Sequence, residues 1–86
     1  MPEIRYELTA HAATVIAERA IDIAWVERVL VKPEQIEADN ADPLLKHAIA
    51  RIPERDGRAL RVVYNASVDP IRVVTAYFDR RQRGKS

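Results

Sequence analysis

Six polar side chains of the second half of the chain have the types and spacing to do chemistry: His47, Arg51, Arg61, Asn65, Thr75 and Tyr77. They fall in three segments where apolar and polar residues alternate, Leu45–Ile52, Leu60–Asn65 and Ile71–Phe78. A period of two is the signature of a half-buried strand. Parity then sorts the faces. Ala48, Ala50, Ile52, Leu60, Val62, Val74, Ala76 and Phe78 go to a covered face, and the six polar residues go to an open one. In the last segment Arg72 shares parity with Val74. A guanidinium offers a planar fork of donors that matches a phosphate. A sheet face with two arginines, a histidine and two hydroxyls therefore suits a phosphate or a nucleotide. It equally suits an ordinary solvated face.

The charge distribution points to the same half. The 86 residues carry 14 Lys+Arg against 13 Asp+Glu, a net charge of +1. Residues 1–50 hold five basic and nine acidic residues, whereas residues 51–86 hold nine basic and four acidic. Eleven of the basic residues are Arg. Near-neutrality thus averages an acidic half and a basic one, and a polyanion would meet the second.

Several function classes drop out. Without cysteine there is no disulfide or thiolate metal site, and two isolated histidines lack the His-x-His or His-x-x-x-His spacing of a zinc site. Gly57 and Gly84 are too few for a phosphate-cradling glycine loop. Ser67 in a turn and Ser86 at the end offer no nucleophile triad. No metal and no cofactor are therefore expected. The longest run free of Asp, Glu, Lys and Arg is ten residues, Leu8–Ala17, against the roughly 20 of a membrane span. No membrane association is expected. The first residues have no apolar signal core, and with the lack of cysteine this reads as cytoplasmic.

The elements that must hold these residues follow from local pattern. Ile4–Leu8 alternates as a strand. Thr9 caps a helix with Ala12, Val15, Ile16 and Arg19 on one stripe, ending near Arg19-Ala20. Asp22 caps a second helix with Trp25 or Val26, Val29 and Leu30 on its stripe, stopped by Lys32-Pro33. A short strand around Gln35–Glu37 is a further candidate. Asn40–Pro43, Pro53–Arg58 with its Asp-Gly signal, and Ala66–Pro70 read as turns. Asp79–Ser86 reads as a basic, frayed tail. The expectation is one α+β, two-layer domain over residues 1–86, ordered β-α-α-β-β-β, with two helices on one face of an antiparallel sheet. Ile49, Val63 and Val73 would remain as apolar residues on the open face.

Thr9-x-His11-Ala12, Glu18-Arg19-x-Ile21 and Val26-x-x-Val29-Leu30-x-x-Pro33 resemble the N-terminal pattern of a bacterial domain family of unknown function. That family is grouped with RelE-like and BrnT-like toxins. Gly57-Arg58-x-Leu60-Arg61-Val62-Val63 and Ile71–Tyr77 extend the resemblance, which covers about residues 6–81. Val15 and Tyr77 stand where the pattern has arginine.

The resemblance implies a RelE-like fold and a metal-independent ribonuclease that cleaves mRNA and is neutralised by an antitoxin. The ribosome and a second copy of the chain are further candidate partners, with ribosome dependence and oligomeric state left open by the sequence. Such cleavage uses the 2′-OH as nucleophile, a base, an acid and cations on the phosphorane. It implies His11, Arg51, Arg61 and Tyr77 as catalytic residues, and His47, Arg72, Thr75, Arg80 and Arg81 as substrate contacts. The alternative is a non-catalytic protein-binding module on the same fold. His11 and Arg19 also read as structural. Arg51 and Arg61 also read as cross-strand partners of Glu37 or Asp39, and Trp25 as a core or interface anchor rather than a stacking platform.

Overall fold

The computed structural model describes residues 4–79. The chain runs β1 (Tyr6–Leu8), α1 (Ala10–Glu18), α2 (Ile23–Val31), β2 (Gln35–Ala38), β3 (Leu45–Ile52), a 3₁₀ turn (Pro53–Arg55), β4 (Arg58–Asn65) and β5 (Ile71–Asp79). The α+β, two-layer expectation holds. The expected all-antiparallel sheet with four strands does not. Five strands form one mixed sheet in the order β1-β5-β4-β3-β2, and β1 runs parallel to β5. Three successive hairpins set the direction of β5 relative to β2, and β1 arrives from outside that meander. Nothing in the five residues around β1 encodes its direction. The segment Gln35–Ala38 forms a full edge strand, because its residues pair with Lys46–Ile49 of β3.

Both helices begin as their caps dictate. The Thr9 hydroxyl accepts from the Ala12 N–H at 3.0 Å, and the Asp22 carboxylate from the Ala24 N–H at 2.9 Å. The end of α1 has more structure than its sequence suggests. The Ile21 N–H donates to the Ile16 carbonyl at 3.0 Å, and the Ala20 N–H to the Ala17 carbonyl at 3.2 Å. These two bonds define a Schellman motif, with Ala20 in the left-handed region at φ 55°. Its accompanying apolar pair is Ile16 and Ile21, both buried in the core. The motif turns the chain straight from α1 into the Asp22 cap.

The two helices cover one face of the sheet. Ala12, Ile16, Ile21, Val26, Val29 and Leu30 pack on Ala48, Ala50, Ile52, Leu60, Val62, Val73 and Ala76. Seven of the eight covered-face residues expected from parity lie in or against this core, and Val74 is the exception. The β4–β5 register breaks at Val63/Tyr64: Val63 opposes Thr75, but Tyr64 opposes Val73. One extra residue at a bulge inverts the parity of everything before it. Val73 is therefore fully buried under the helices. Arg72, opposite Asn65, moves to the open face.

α1 is fastened to β5 at both ends. The Thr9 N–H donates to the Val73 carbonyl at 3.0 Å, and the Arg19 Nη1 donates to the Ala76 carbonyl at 2.7 Å. Arg19 thus pairs with backbone and, among the described residues, not with an acid. α2 is held to the β3–β4 connection by a two-pronged ion pair, Arg28 to Glu54 at 2.9 and 3.0 Å. In that connection Asp56 and Gly57 both have positive φ, 59° and 72°. The Asp-Gly pair supplies the conformation the turn needs.

The left-handed residue at Ala20 gives a direct test. An L-residue with a Cβ pays roughly 1–2 kcal/mol in this region, and glycine pays almost nothing. Ala20→Gly is expected to raise the unfolding free energy by about 1 kcal/mol in urea denaturation. Equal or lower stability would refute this account of the helix end.

Candidate functional site

The open face is organised around Arg61. Its row of the sheet is Gln35, Ile49, Arg61 and Tyr77, and the next row is Glu37, His47, Val63 and Thr75. Arg61 is 5% exposed. A guanidinium so deeply set needs acceptors for its donors. Its Nε and Nη2 both donate to Asp79 Oδ2, at 2.9 and 2.6 Å. Its Nη1 donates to Glu37 Oε1 at 3.1 Å and lies 2.8 Å from His47 Nδ1. Burial pushes the Arg61 pKa down, but the hydrogen bonds of Asp79 and Glu37 outweigh it, so the net shift is upward. Arg61 hydrogen bonding in turn lowers Glu37.

These bonds settle the tautomer of His47. Arginine has no acceptor, so His47 Nδ1 presents its lone pair to Arg61. The proton of the neutral ring is then on Nε2, which donates to Asp39 Oδ1 at 2.7 Å. Asp39 is itself held in place. Its other oxygen accepts from the Ala41 and Asp42 N–H groups at 3.0 and 2.9 Å. The His47 hydrogen bond, and then those two amides, lower the Asp39 pKa. The result is a continuous chain from Asp39 through His47 and Arg61 to Asp79. It borders a pocket of about 270 Å³ lined by Glu37, Asp39, Asn40, His47, Arg61 and Tyr77, among others.

The expected site residues are only partly brought together. His47, Arg61 and Tyr77 line the same pocket. Thr75 stands opposite Val63, one row from Arg61. Arg51 is on the same face but is committed to Glu34 at 3.4 Å. Arg72 is exposed at the far end of β5. His11 lies in the helical layer, exposed and without a hydrogen bond among the described residues. The sheet separates it from the pocket, so it neither reaches the other residues nor ties α1 down. Arg80 and Arg81 lie outside the described residues. Ile49, Val63 and Val73, expected as exposed apolar residues, are 3%, 5% and 0% exposed. The exposed ones are Ile23, Val31, Ile36 and Leu44.

Of the acids at the site, Glu37 pairs with Arg61 as one reading of the sequence expected, Asp39 pairs with His47 instead of an arginine, and Asp79 was not expected there. Asp79, read as the start of a tail, is the last residue of β5 and is 5% exposed. It shares parity with Tyr77, so extending the strand by one residue would have aimed it at the Arg61 side. The partner of Asp39 had no such signal, because its position follows from the turn that its own side chain builds. Among the described residues no group of three His, Asp or Glu side chains is arranged to hold a metal ion, and no helix is long and apolar enough to cross a membrane.

The architecture is that of a small α+β domain with a polar pocket on the helix-free face of its sheet. The chain belongs to the family described as Domain of unknown function (DUF4258), which matches residues 8–78. The match spans both helices, strands β2 to β4, and β5 except Asp79, but of β1 only Leu8. No curated protein and no solved structure matches the chain.

Two outcomes test the electrostatics. Removing one member of a buried ion pair typically costs about 3–5 kcal/mol, while replacing both by apolar groups costs far less. Asp79→Ala should fall in that range, and Arg61→Leu/Asp79→Leu should recover much of the loss in a double-mutant cycle. Additive losses would mean the pair is not coupled. Acid should also destabilise the fold. Glu54, hydrogen-bonded by Arg28, is lowered from 4.5 to about 2. A carboxylate depressed in the folded state contributes stability above its unfolded pKa and loses it as pH falls through the folded one. The urea midpoint should drop between pH 4.5 and about 2, and Glu54→Gln should shallow that slope. An unchanged slope would remove Glu54 from the account.

Proposed function

We propose that the chain is a RelE/BrnT-like toxin, a metal-independent ribonuclease that cleaves mRNA and is held in check by a cognate antitoxin. Two helices on one face of a sheet whose strands β2 to β5 are antiparallel are in keeping with a RelE-like fold. The observation that carries the reading is the Asp39–His47–Arg61 chain beside Tyr77 in one pocket. It holds the three kinds of group that cleavage without a metal needs. A carboxylate-oriented neutral histidine is a base, an arginine holds charge on a phosphorane, and a phenol gives a proton.

In this scheme a phosphodiester draws Arg61 Nη1 toward its oxygens and frees the Nδ1 lone pair of His47. His47 takes the proton of the 2′-OH, whose oxygen bonds to phosphorus. The phosphorus–5′-oxygen bond breaks, and Tyr77 protonates the leaving oxygen. The products are a cyclic 2′,3′-phosphate and a 5′-hydroxyl. Thr75 and Arg72 lie along the same face toward its far end. His47, and not His11, is the base of this reading.

A second reading has an observation of its own. Four Arg61 contacts are already taken by Asp79, Glu37 and His47, which suits a structural arginine in a protein-binding module. Edge strand β2 and the turn after it carry Ile36 and Leu44, each 53% exposed, and such an edge accepts a strand from a partner.

The test separates the two. Expression of the intact chain should arrest growth, with rescue by the product of an adjacent gene. The purified chain should cleave single-stranded RNA in a chelator. His47→Ala should slow cleavage by about 10²–10⁴-fold with the circular dichroism spectrum unchanged. Intact growth and intact RNA would overturn the ribonuclease reading. A phenotype insensitive to His47→Ala but abolished by Ile36→Asp would establish the binding module.

A further inference from the structure

On the helix side, at the end of the sheet away from the Asn65–Arg72 row, two arginines are held by aromatic rings, whereas Arg5 and Arg72 are exposed with no such seat. Arg28, Arg51 and Arg61 are each bonded to a carboxylate, and Arg19 to a carbonyl. Arg55 and Arg58 meet no carboxylate within ion-pair distance among the described residues. They lie instead on aromatic rings. The Arg55 guanidinium is 4.7 Å from the Phe78 ring centroid and 5.9 Å from that of Trp25. The Arg58 guanidinium is 5.6 Å from the Phe78 centroid. The two rings meet edge-on at 6.2 Å.

Each part of this corner is independently positioned. Trp25 stands on the first turn of α2, where Asp22 caps the helix. Phe78 opposes Leu60, and Arg58 opposes Ile52, so both project to the helix side. Arg55 closes the 3₁₀ turn that the Arg28–Glu54 pair ties to α2. Glu54, the acid of this turn that forms an ion pair, is taken by Arg28. Asp56, the other acid of the turn, is exposed and forms no ion pair among the described residues. A guanidinium laid against a ring keeps its edge N–H groups and its other face free. Edge groups of this kind bind phosphate in bidentate fashion, and the free face stacks on a base.

We infer that Arg55 and Arg58, seated on Phe78 and Trp25, form a second contact for the phosphates of single-stranded RNA, separate from the Arg61 pocket. The choice of RNA as the polyanion rests on the ribonuclease reading, whereas the site rests on the geometry of this corner. Arg61, with three of its N–H groups on acids and a fourth contact to His47, is the poorer first contact for a phosphate. Arg55 and Arg58 carry charge that no acid of the described chain offsets.

The experiment measures binding apart from cleavage. A fluorescein-labelled single-stranded RNA with 2′-O-methyl sugars lacks the nucleophile and cannot be cut. Its anisotropy is followed with the intact chain over a range of salt concentrations. Arg55→Ala/Arg58→Ala should weaken binding at least about tenfold, and should shallow the log–log salt slope by about 1.4, the value for two lost contacts to a single strand. Arg5→Ala, an exposed arginine on the first strand's approach, should change neither by as much. If the double variant loses its fold by circular dichroism, Arg55→Gln and Arg58→Gln taken singly should each shallow the slope by about 0.7. Unchanged affinity and slope in folded variants would overturn the site, whether or not the chain cleaves RNA. A chain that binds poly-glutamate through these arginines but not the RNA would overturn RNA as the ligand. Binding of the methylated RNA through Arg55 and Arg58, with unmodified RNA left intact, would support the site and reject the ribonuclease reading.

Discussion

A permanently charged side chain with 5% of its surface exposed sits at the centre of the open face, and the arrangement around it answers that one constraint. Withdrawing a guanidinium from water costs several kcal/mol, which only hydrogen-bonded acceptors offset. Arg61 is on β4, and its acceptors come from three other strands: Asp79 on β5, Glu37 on β2 and His47 on β3. The group that is most expensive to bury is also the one that couples four of the five strands. The orientation of His47 follows from it, because a donor on Nδ1 leaves only Nε2 to carry the proton toward Asp39.

The helix side is governed by packing and by chain reversal. The Schellman turn at Ala20 lets α1 and α2 follow each other with only a short connection. This brings Ile16, Ile21 and Val26 into one apolar layer over Leu60, Val62 and Val73. The bulge in β5 serves both faces. It brings Val73 and Ile71 under the helices, and sends Arg72 to the open side. A strand of even parity could not have done both.

Two populations of arginine divide the protein's positive charge. Arg61 and Arg51 on the open face and Arg28 on α2 are matched to acids, so their charge is largely offset within the fold. Those at Arg55 and Arg58 are held by aromatic rings, which position a guanidinium without neutralising it. The net charge of +1 hides this division. The ring-held cations are on the opposite side of the sheet from the Arg61 pocket.

Much of this was legible in the residues. The period-two runs gave β3 with its observed bounds, and β4 and β5 to within two residues. Thr9 and Asp22 marked both helix starts, and parity placed His47, Arg61, Thr75 and Tyr77 on one face. These are local properties, set by side-chain alternation and by capping groups a few residues away. The direction of β1, the bulge at Val74, the inclusion of Asp79 in β5, the Asp39–His47 pair and the burial of Ile49 and Val63 were decided only by the tertiary structure. Each depends on which distant strand lies alongside and in what register. His11 makes the same point from the other side. Its type suits catalysis, but it lies across the sheet from the residues it would have to serve. Residue types and alternation determined what could face the open side. The strand order and one extra residue in β5 determined which of those groups meet.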